Sequence, residues 1–520
     1  MKISKTNPTD TTFPGGRGTD ELVLYTPAHG ASTGTNSYGS EAVVRGGVVE
    51  DTDGNDSRIP ADGFVLSGHG KAGEWIIAHL PAGAEVELRG GEVVARITPR
   101  TRARQVERRL AKAVSAGGYA TSAPAVRARE LLTRATSALD RGDTDTAVAH
   151  LEEADVLSHE AFHASLPSPG REARGAWFRL ADGGPDEAHR LVARARDLNL
   201  NMLFPETFYW SGTLNPPAAD DAPPQHAGFR GWDPLRVLID EGHRNGMQVH
   251  AWCEIFFVGP PWVEGGVPEL ARRHPDWVAV DRSGRRNSVP EEGFLFFCPA
   301  NPAVHEYLLR QLEALARAYP LDGIQLDYIR YPRVDGIGTG FCYCAYCRKT
   351  FGGEAGCDPM DIAPDTHPGE WRRWDTWRED RVTSFVAAAH ARLHAARPGI
   401  TVSAAIFPDH EESLREKHQD WVRWAREGML DLVCTMTYRN DAKGVEQVTR
   451  RNMADVGRVP LMVGLGPFLR FSDEHLVDQV CAARAAGAAG QVLFAEESLT
   501  REHRAALKAG PYRSRAEAGF

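Results

Sequence analysis

The chain has 520 residues, 42% hydrophobic and 25% charged, with a formal net charge of −10 at pH 7. These are ordinary globular proportions, which exclude a disordered or collagen-like chain, and the acidic balance argues against a general electrostatic hold on nucleic acid. No run approaches the roughly 20 apolar residues that span a bilayer, and the length fits either one α/β barrel with additions or three smaller domains.

The N-terminal segment MKISKTNPTDTTFPGGRGTD has no apolar stretch of the kind a secretory leader needs, so a cytoplasmic location is expected. Residues 1–100 are rich in Gly, Thr and Val, with turn signals throughout. GVVEDTDGNDSRIP, GFVLSG, WIIAHL and EVELRGGEVVARI read as short strands, predicting a small β-rich module. Residues 101–170 change character. RARQVERRLAKAV, AVRARELLTRATSALDRGD and TAVAHLEEADVLSHEAF place apolar residues three and four apart, and Gly142 and Asp143 mark a stop. A helical hairpin or short bundle is expected there, acting as a spacer. Ser165–Ala173 reads as a linker.

Residues 171–520 are regular. From Arg174 onward, an apolar run followed by a helical stretch recurs eight times, opening with GAWFRL, NMLFPETFYW, VHAWCEIFFV, DGIQLDYIRYP, TVSAAIFPD, DLVCTMTYRN, PLMVGLGPF and QVLFAEES. Continuous apolar strands joined by helical crossovers form a parallel sheet buried on both faces. Eight units predict an α/β fold of the (β/α)8 class; a doubly wound sheet is the alternative, but no GxGxxG follows the first strand.

Such barrels place their chemistry at the C-terminal ends of the strands. Those ends carry Glu206, Phe208, Tyr209 and Trp210; His250, Trp252 and Glu254; Asp327, Tyr328, Arg330 and Tyr331; Asp409 and His410; Tyr438, Asn440 and Asp441; and Glu496 and Glu497. Carboxylates mixed with aromatics suit a sugar, because aromatic faces stack on its C–H surfaces while paired carboxylates supply acid and nucleophile or base. Asp327 is the leading catalytic candidate, since it interrupts an apolar stretch and a buried carboxylate is costly unless it is paired. Glu254, Asp409 and Glu497 compete for the second role. Glu206, Tyr209, Trp210, His250, Trp252, Tyr328, Arg330 and Tyr438 are the expected substrate contacts. Each has a plainer alternative: a helix cap for Glu497 or Asp441, an ion pair for Asp327 with Arg330, core packing for the aromatics.

FCYCAYCRKTF places Cys342, Cys344 and Cys347 in a C-x-C-x-x-C loop after the fourth strand. Four thiolates hold a structural zinc. Cys298 is the best fourth ligand and Cys357 the runner-up, while Cys253, Cys434 and Cys481 read as core thiols. The alternative is a loop of free or redox-active cysteines. No Ser-His-Asp triad, GxSxG, HExxH or phosphate loop stands out.

Over about residues 170–500 the chain resembles the family-10-like glycosylhydrolase group of bacterial barrel proteins. The segments that carry the likeness are RGAWFRL, NLNMLFPETFYWSG, HRNGMQVHAW, LFFCPANPAVHEYLLRQL and, above all, LDGIQLDYIRYP. The order of Cys298 before Asp327 and the C-x-C-x-x-C after it is similar to the zinc loop of family 42 β-galactosidases. IPADGFVLSGHG resembles a short motif of phosphodiester glycosidases. The resemblance implies a glycoside hydrolase of bacterial or dietary poly- or oligosaccharides, with its strand-4 acid at Asp327, a structural zinc and no organic cofactor. A carbohydrate-binding barrel that has lost the catalytic pair is the alternative.

Overall fold

The computed structural model describes residues 1–9, 18–35, 39–52, 54–115, 121–181, 183–263, 265–334, 340–469 and 471–519; positions 10–17 and 53 of the N-terminal segments quoted above lie outside them. The first region is a seven-stranded sheet. Its strands are β1 (Lys5–Thr6), β2 (Leu22–Tyr25), β3 (Ser40–Arg45), β4 (Val48–Thr52), β5 (Gly63–Gly68), β6 (Glu85–Arg89) and β7 (Glu92–Arg96), with helix α1 (Lys71–His79) between β5 and β6. WIIAHL is therefore helix and not strand. Its apolar run continues a four-residue spacing, Ala72, Ile76 and Leu80, and these three bury against Leu22, Ala42 and Leu66. Helices α2 (Pro99–Ser115), α3 (Ala123–Asp140) and α4 (Thr144–Ser165) follow, with Ser122 and Asp143 capping the latter two.

The remaining elements are β8 (Ala173–Phe178), α5 (Gly184–Asp197), β9 (Met202–Tyr209), β10 (Gly212–Thr213), α6 (Pro234–Arg244), β11 (Gln248–Glu254), β12 (Phe257–Gly259), α7 (Glu269–Arg273), β13 (Asn287–Ser288), β14 (Phe294–Phe296), α8 (Pro302–Ala318), β15 (Gly323–Asp327), α9 (Ala345–Ala355), α10 (Pro368–Ala396), β16 (Thr401–Ile406), α11 (His410–Lys417), α12 (Trp421–Arg426), β17 (Leu432–Thr435), α13 (Ala442–Val456), β18 (Leu461–Leu465), α14 (Asp473–Ala485), β19 (Gly490–Leu493) and α15 (Arg501–Ala509). Strands β8, β9, β11, β15, β16, β17, β18 and β19 are all parallel neighbours, and β8 pairs with both β19 and β9. The sheet closes into the expected (β/α)8 barrel. Alternation along each strand divides its residues. Trp177, Phe204, Trp252, Cys434 and Met462 fill the interior, while Ala176, Leu203, Ala251 and Val433 face the surrounding helices.

The helical region is bolted to the barrel. Arg109 of α2 is buried, with its guanidinium 2.6 Å from Asp155 of α4 and 2.7 Å from Glu474 of α14. The β-rich region touches the barrel at the sixth strand end, where the Asn440 side chain donates to the carbonyl of Gly39. Among the described residues, no helix is long and apolar enough to cross a membrane.

Candidate active site

The inward alternation that fills the barrel continues past it to the C-terminal mouth. After Trp177 comes Arg179; after Phe204, Glu206; after Trp252, Glu254; after Gln325, Asp327. Register levels these residues. Trp252 pairs with Glu206 on one side and Gln325 on the other, and Glu254 pairs directly with Asp327 one level higher. Paired residues of adjacent parallel strands lie about 4.8 Å apart and point the same way. Three carboxylates from strands β9, β11 and β15 therefore converge above an aromatic floor, and all three are almost fully buried: Glu206 is 2% exposed, Glu254 1% and Asp327 8%.

Their surroundings differ. Burial pushes the Asp327 carboxyl above the usual range, but the Tyr328 N–H (2.6 Å), the Trp252 indole N–H (2.9 Å) and the nearby Arg330 and Arg179 charges all oppose the rise. Glu206 is likewise raised by burial and steadied by Arg179, whose Nε donates to it at 2.8 Å. Glu254 is raised furthest in kind: burial acts first, the neighbouring Glu206 and Asp327 charges add to it, and Arg179 and the Trp210 backbone N–H return only part. One carboxylate oxygen of Glu254 and one of Glu206 are buried without a hydrogen-bond partner. Carboxylates packed this closely cannot all ionise at little cost, and Glu254, with the least compensation, is the one pushed well above the usual range.

Arg179 is the residue that strand-end reading missed. Its guanidinium lies 5.2 Å from the Trp252 ring and 5.9 Å from that of Phe494, another inward position overlooked on the eighth strand. The signal was present as the two-residue alternation Trp177–Arg179. Partial burial works against the Arg179 charge, but Glu206, Glu254 and Glu497 more than offset it and raise its pKa.

Aromatics frame the mouth. Tyr438 stacks on Phe494 at 5.5 Å, Tyr328 on Phe257 at 4.6 Å and Tyr209 on His226 at 3.9 Å, while Trp210 is exposed. Tyr328 has a positive φ of 47°, a turn that sends the chain away from the barrel directly after Asp327.

Several expected contacts lie elsewhere. His250 is fully buried low in the barrel, paired in register with Gly323 at the start of β15 and packed 5.1 Å from Phe204; it is a core histidine because it sits four residues before the strand end. Asp409 is 39% exposed, caps α11 through the Glu412 N–H (3.0 Å) and meets Arg451 at 3.3 Å, so it is not brought to the other acids. Arg330 is buried and committed to Glu291 at 2.7 Å. Glu496 is consumed by Arg194 and Arg504. Glu497 stands solvent-exposed on the rim, within electrostatic reach of Arg179. Asp441 caps α13.

Cys298, Cys342, Cys344 and Cys347 converge, with their sulfurs all within 4.8 Å of one another. Cys298 lies 3.3 Å from Cys347 and 3.8 Å from Cys344, too far for disulfides, and every cysteine is free. A tetrahedron with metal–sulfur bonds of about 2.3 Å needs sulfurs about 3.8 Å apart, so the four thiols fit a metal ion with no open position. The Val280 N–H donates to Cys342, a bond that suits a thiolate. Cys357 is not in the cluster, and Cys253 and Cys434 are buried in the barrel wall.

The family model described as "Glycosyl hydrolase-like 10" matches residues 177–465, more than half of the chain. Among curated proteins, the chain is similar to "Glycosyl hydrolase DigH" of Escherichia coli (strain K12), 23% identical over 235 residues, covering 40% of this chain and 46% of that one. It is also similar to "Glycosyl hydrolase YngK" of Bacillus subtilis (strain 168), 23% identical over 228 residues, 40% of this chain and 39% of that one. The match thus spans less than half the length of these relatives. Among solved structures, the glycoside hydrolase domain of PgaB from Bordetella bronchiseptica superposes with a TM-score of 0.50 at 16% identity, covering 65% of this chain and 98% of that one; this likeness is one of fold.

Proposed function

Because the chain belongs to the Glycosyl hydrolase-like 10 family, we propose that it hydrolyses a glycosidic bond in an oligo- or polysaccharide, with Asp327 and Glu254 as the working pair. The observation that carries this reading is their pairing in register on adjacent strands at the barrel mouth in unlike environments. Glu254 stays protonated and delivers its proton to the departing glycosidic oxygen. Asp327, held as an anion by the Trp252 indole and the Tyr328 N–H, presents its charge to the anomeric carbon. Arg179 orients Glu206 and balances the anion that Glu254 becomes once its proton leaves. Tyr328, Tyr438, Tyr209, Trp210 and Glu206 bind the sugars. The names of the relatives, all glycosyl hydrolases, favour the same class of reaction.

The four cysteines hold zinc in this reading. The ion would tie the segment ending in Cys298, which carries Glu291, to the segment after Arg330, and so keep that buried ion pair closed beside Tyr328. It is structural, because four thiolates leave it no open position.

The test is a glycan-library hydrolysis screen with Asp327→Asn and Glu254→Gln beside the wild-type chain. Each variant should lose about 10²–10⁴-fold, the contribution of a positioned proton donor or its partner. A folded Asp327→Asn chain that cleaves the same glycan at the wild-type rate would remove the assignment.

A further inference from the structure

The opposite, N-terminal end of the barrel carries a cluster that the glycosidase reading does not use. His390 and His394 lie four residues apart on one face of α10, their rings 4.3 Å apart, and Asp431 leads into β17 beneath them. The Nε2 atom of His394 is 2.9 Å from one Asp431 oxygen and that of His390 is 3.4 Å from the other. All three side chains are partly open to solvent, with exposures of 26%, 33% and 35% for His390, His394 and Asp431.

The same end of the barrel supplies its own control. Asp322, leading into β15, accepts from the Val249 N–H at 2.7 Å and from His243 of α6 at 2.8 Å. Asp431 repeats that bracket, accepting from the Val402 N–H at 2.8 Å and from His394 at 2.9 Å. One histidine therefore suffices to pin a helix to the start of the next strand. His390 is additional, and it addresses the oxygen that the bracket leaves over.

We propose that His390, His394 and Asp431 form a binding site for a divalent transition metal on the N-terminal face of the barrel, separate from the four cysteines. Two imidazoles and one carboxylate suit zinc, nickel or copper. Bonds of about 2.0–2.2 Å to a tetrahedral ion place ligand atoms about 3.3–3.5 Å apart, and the three ligand atoms here already lie within 4.8 Å of one another. Binding exchanges the two imidazole–carboxylate hydrogen bonds for coordination, the imidazole proton moving from Nε2 to Nδ1. The Val402 N–H keeps the carboxylate oriented as an outer-shell partner. The helix is stiff at this point, because Arg392 between the two histidines grips Glu313 at 2.6 Å and Glu306 at 2.7 Å on α8. Three protein ligands leave one position open to water, in contrast to the closed cysteine set.

Cobalt(II) chloride titrated into the 520-residue chain distinguishes the two sites. Thiolate coordination gives intense near-ultraviolet charge transfer; imidazole–carboxylate coordination gives only visible d–d bands. The expected result is a d–d signal from a site without sulfur, weakened at least tenfold in affinity by His390→Gln and abolished by His390→Gln with His394→Gln, while the thiolate band is unchanged. Equal affinity in wild type and His390→Gln, or cobalt found at thiolates only, would overturn the proposal.

Discussion

The two ends of the barrel use the same residue type in opposite ways. At the N-terminal end Glu172 is buried, yet it meets Arg484 at 2.6 and 2.7 Å, Arg174 at 2.7 Å and the Gln491 amide at 3.2 Å. Burial alone would raise its pKa, but the two arginines overcome that and hold it below the usual range. At the C-terminal end Glu254 is as deeply buried and has like charges for neighbours, so its pKa is pushed well up. Burial is common to both; compensation separates them. The closed end compensates its buried acid, and the open end leaves one with its pKa raised at the expense of stability.

Substituting both residues puts this contrast to its sharpest test. Glu172→Gln leaves Arg174 buried without its anion and should destabilise the fold by about 3–5 kcal/mol at neutral pH. Glu254→Gln removes a strained acid and should stabilise it. The two effects have opposite pH dependence. A carboxylate whose pKa falls on folding stabilises above its unfolded value and loses that contribution as pH falls through its lowered folded value, so the Glu172→Gln penalty is complete above the ordinary glutamate range and shrinks only below it. A carboxylate whose pKa rises on folding stabilises below its unfolded value and loses that contribution as pH climbs, so the Glu254→Gln gain vanishes near pH 4 and grows toward neutrality, by about 1.4 kcal/mol for each unit of elevation. Denaturant unfolding at several pH values measures both; two changes of the same sign would break the contrast.

Metal content tests whether the loops of the open end depend on the cysteine cluster. Cys298→Ser should lose zinc, lower the melting temperature and weaken hydrolysis, because Glu291 and Arg330 are no longer tied together. Elemental analysis with calorimetry reads this, and full zinc occupancy in the variant would discount Cys298 as a ligand. The smallest effect belongs to Asp409→Ala. As a surface cap it should cost about 0.5–2 kcal/mol of stability and leave hydrolysis unchanged; a large loss of rate would return Asp409 to the active site.

Much of this was legible in the sequence. Eight apolar runs, each followed by a helix, gave the barrel, and an acid embedded in DGIQLDYIRYP marked Asp327 as unusual. The cysteine spacing, together with Cys298, named four residues that do converge. The failures have physical causes. His250 and Glu254 share a strand, and only the length of the strand, not its composition, shows that one lies low in the core and the other at the mouth. Asp327 is the last residue of its strand, whereas Asp409 lies beyond its own, where the helix that begins beside it claims its oxygen. Arg179 looked like the polar end of GAWFRL until alternation from Trp177 turned it inward. WIIAHL carried enough β-favouring residues to hide a helical spacing that depends on Ala72 and Leu80 outside it.

The division of labour between Glu254 and Asp327 is tested most directly by changing the leaving group. A natural glycan needs a proton on its departing oxygen, whereas a dinitrophenyl glycoside of the same sugar does not. On the glycan, Glu254→Gln and Asp327→Asn should both be slow. On the dinitrophenyl glycoside, Glu254→Gln should recover most of the wild-type rate and Asp327→Asn should stay slow. Recovery by Asp327→Asn instead, or by neither variant, would contradict the assignment of the proton to Glu254.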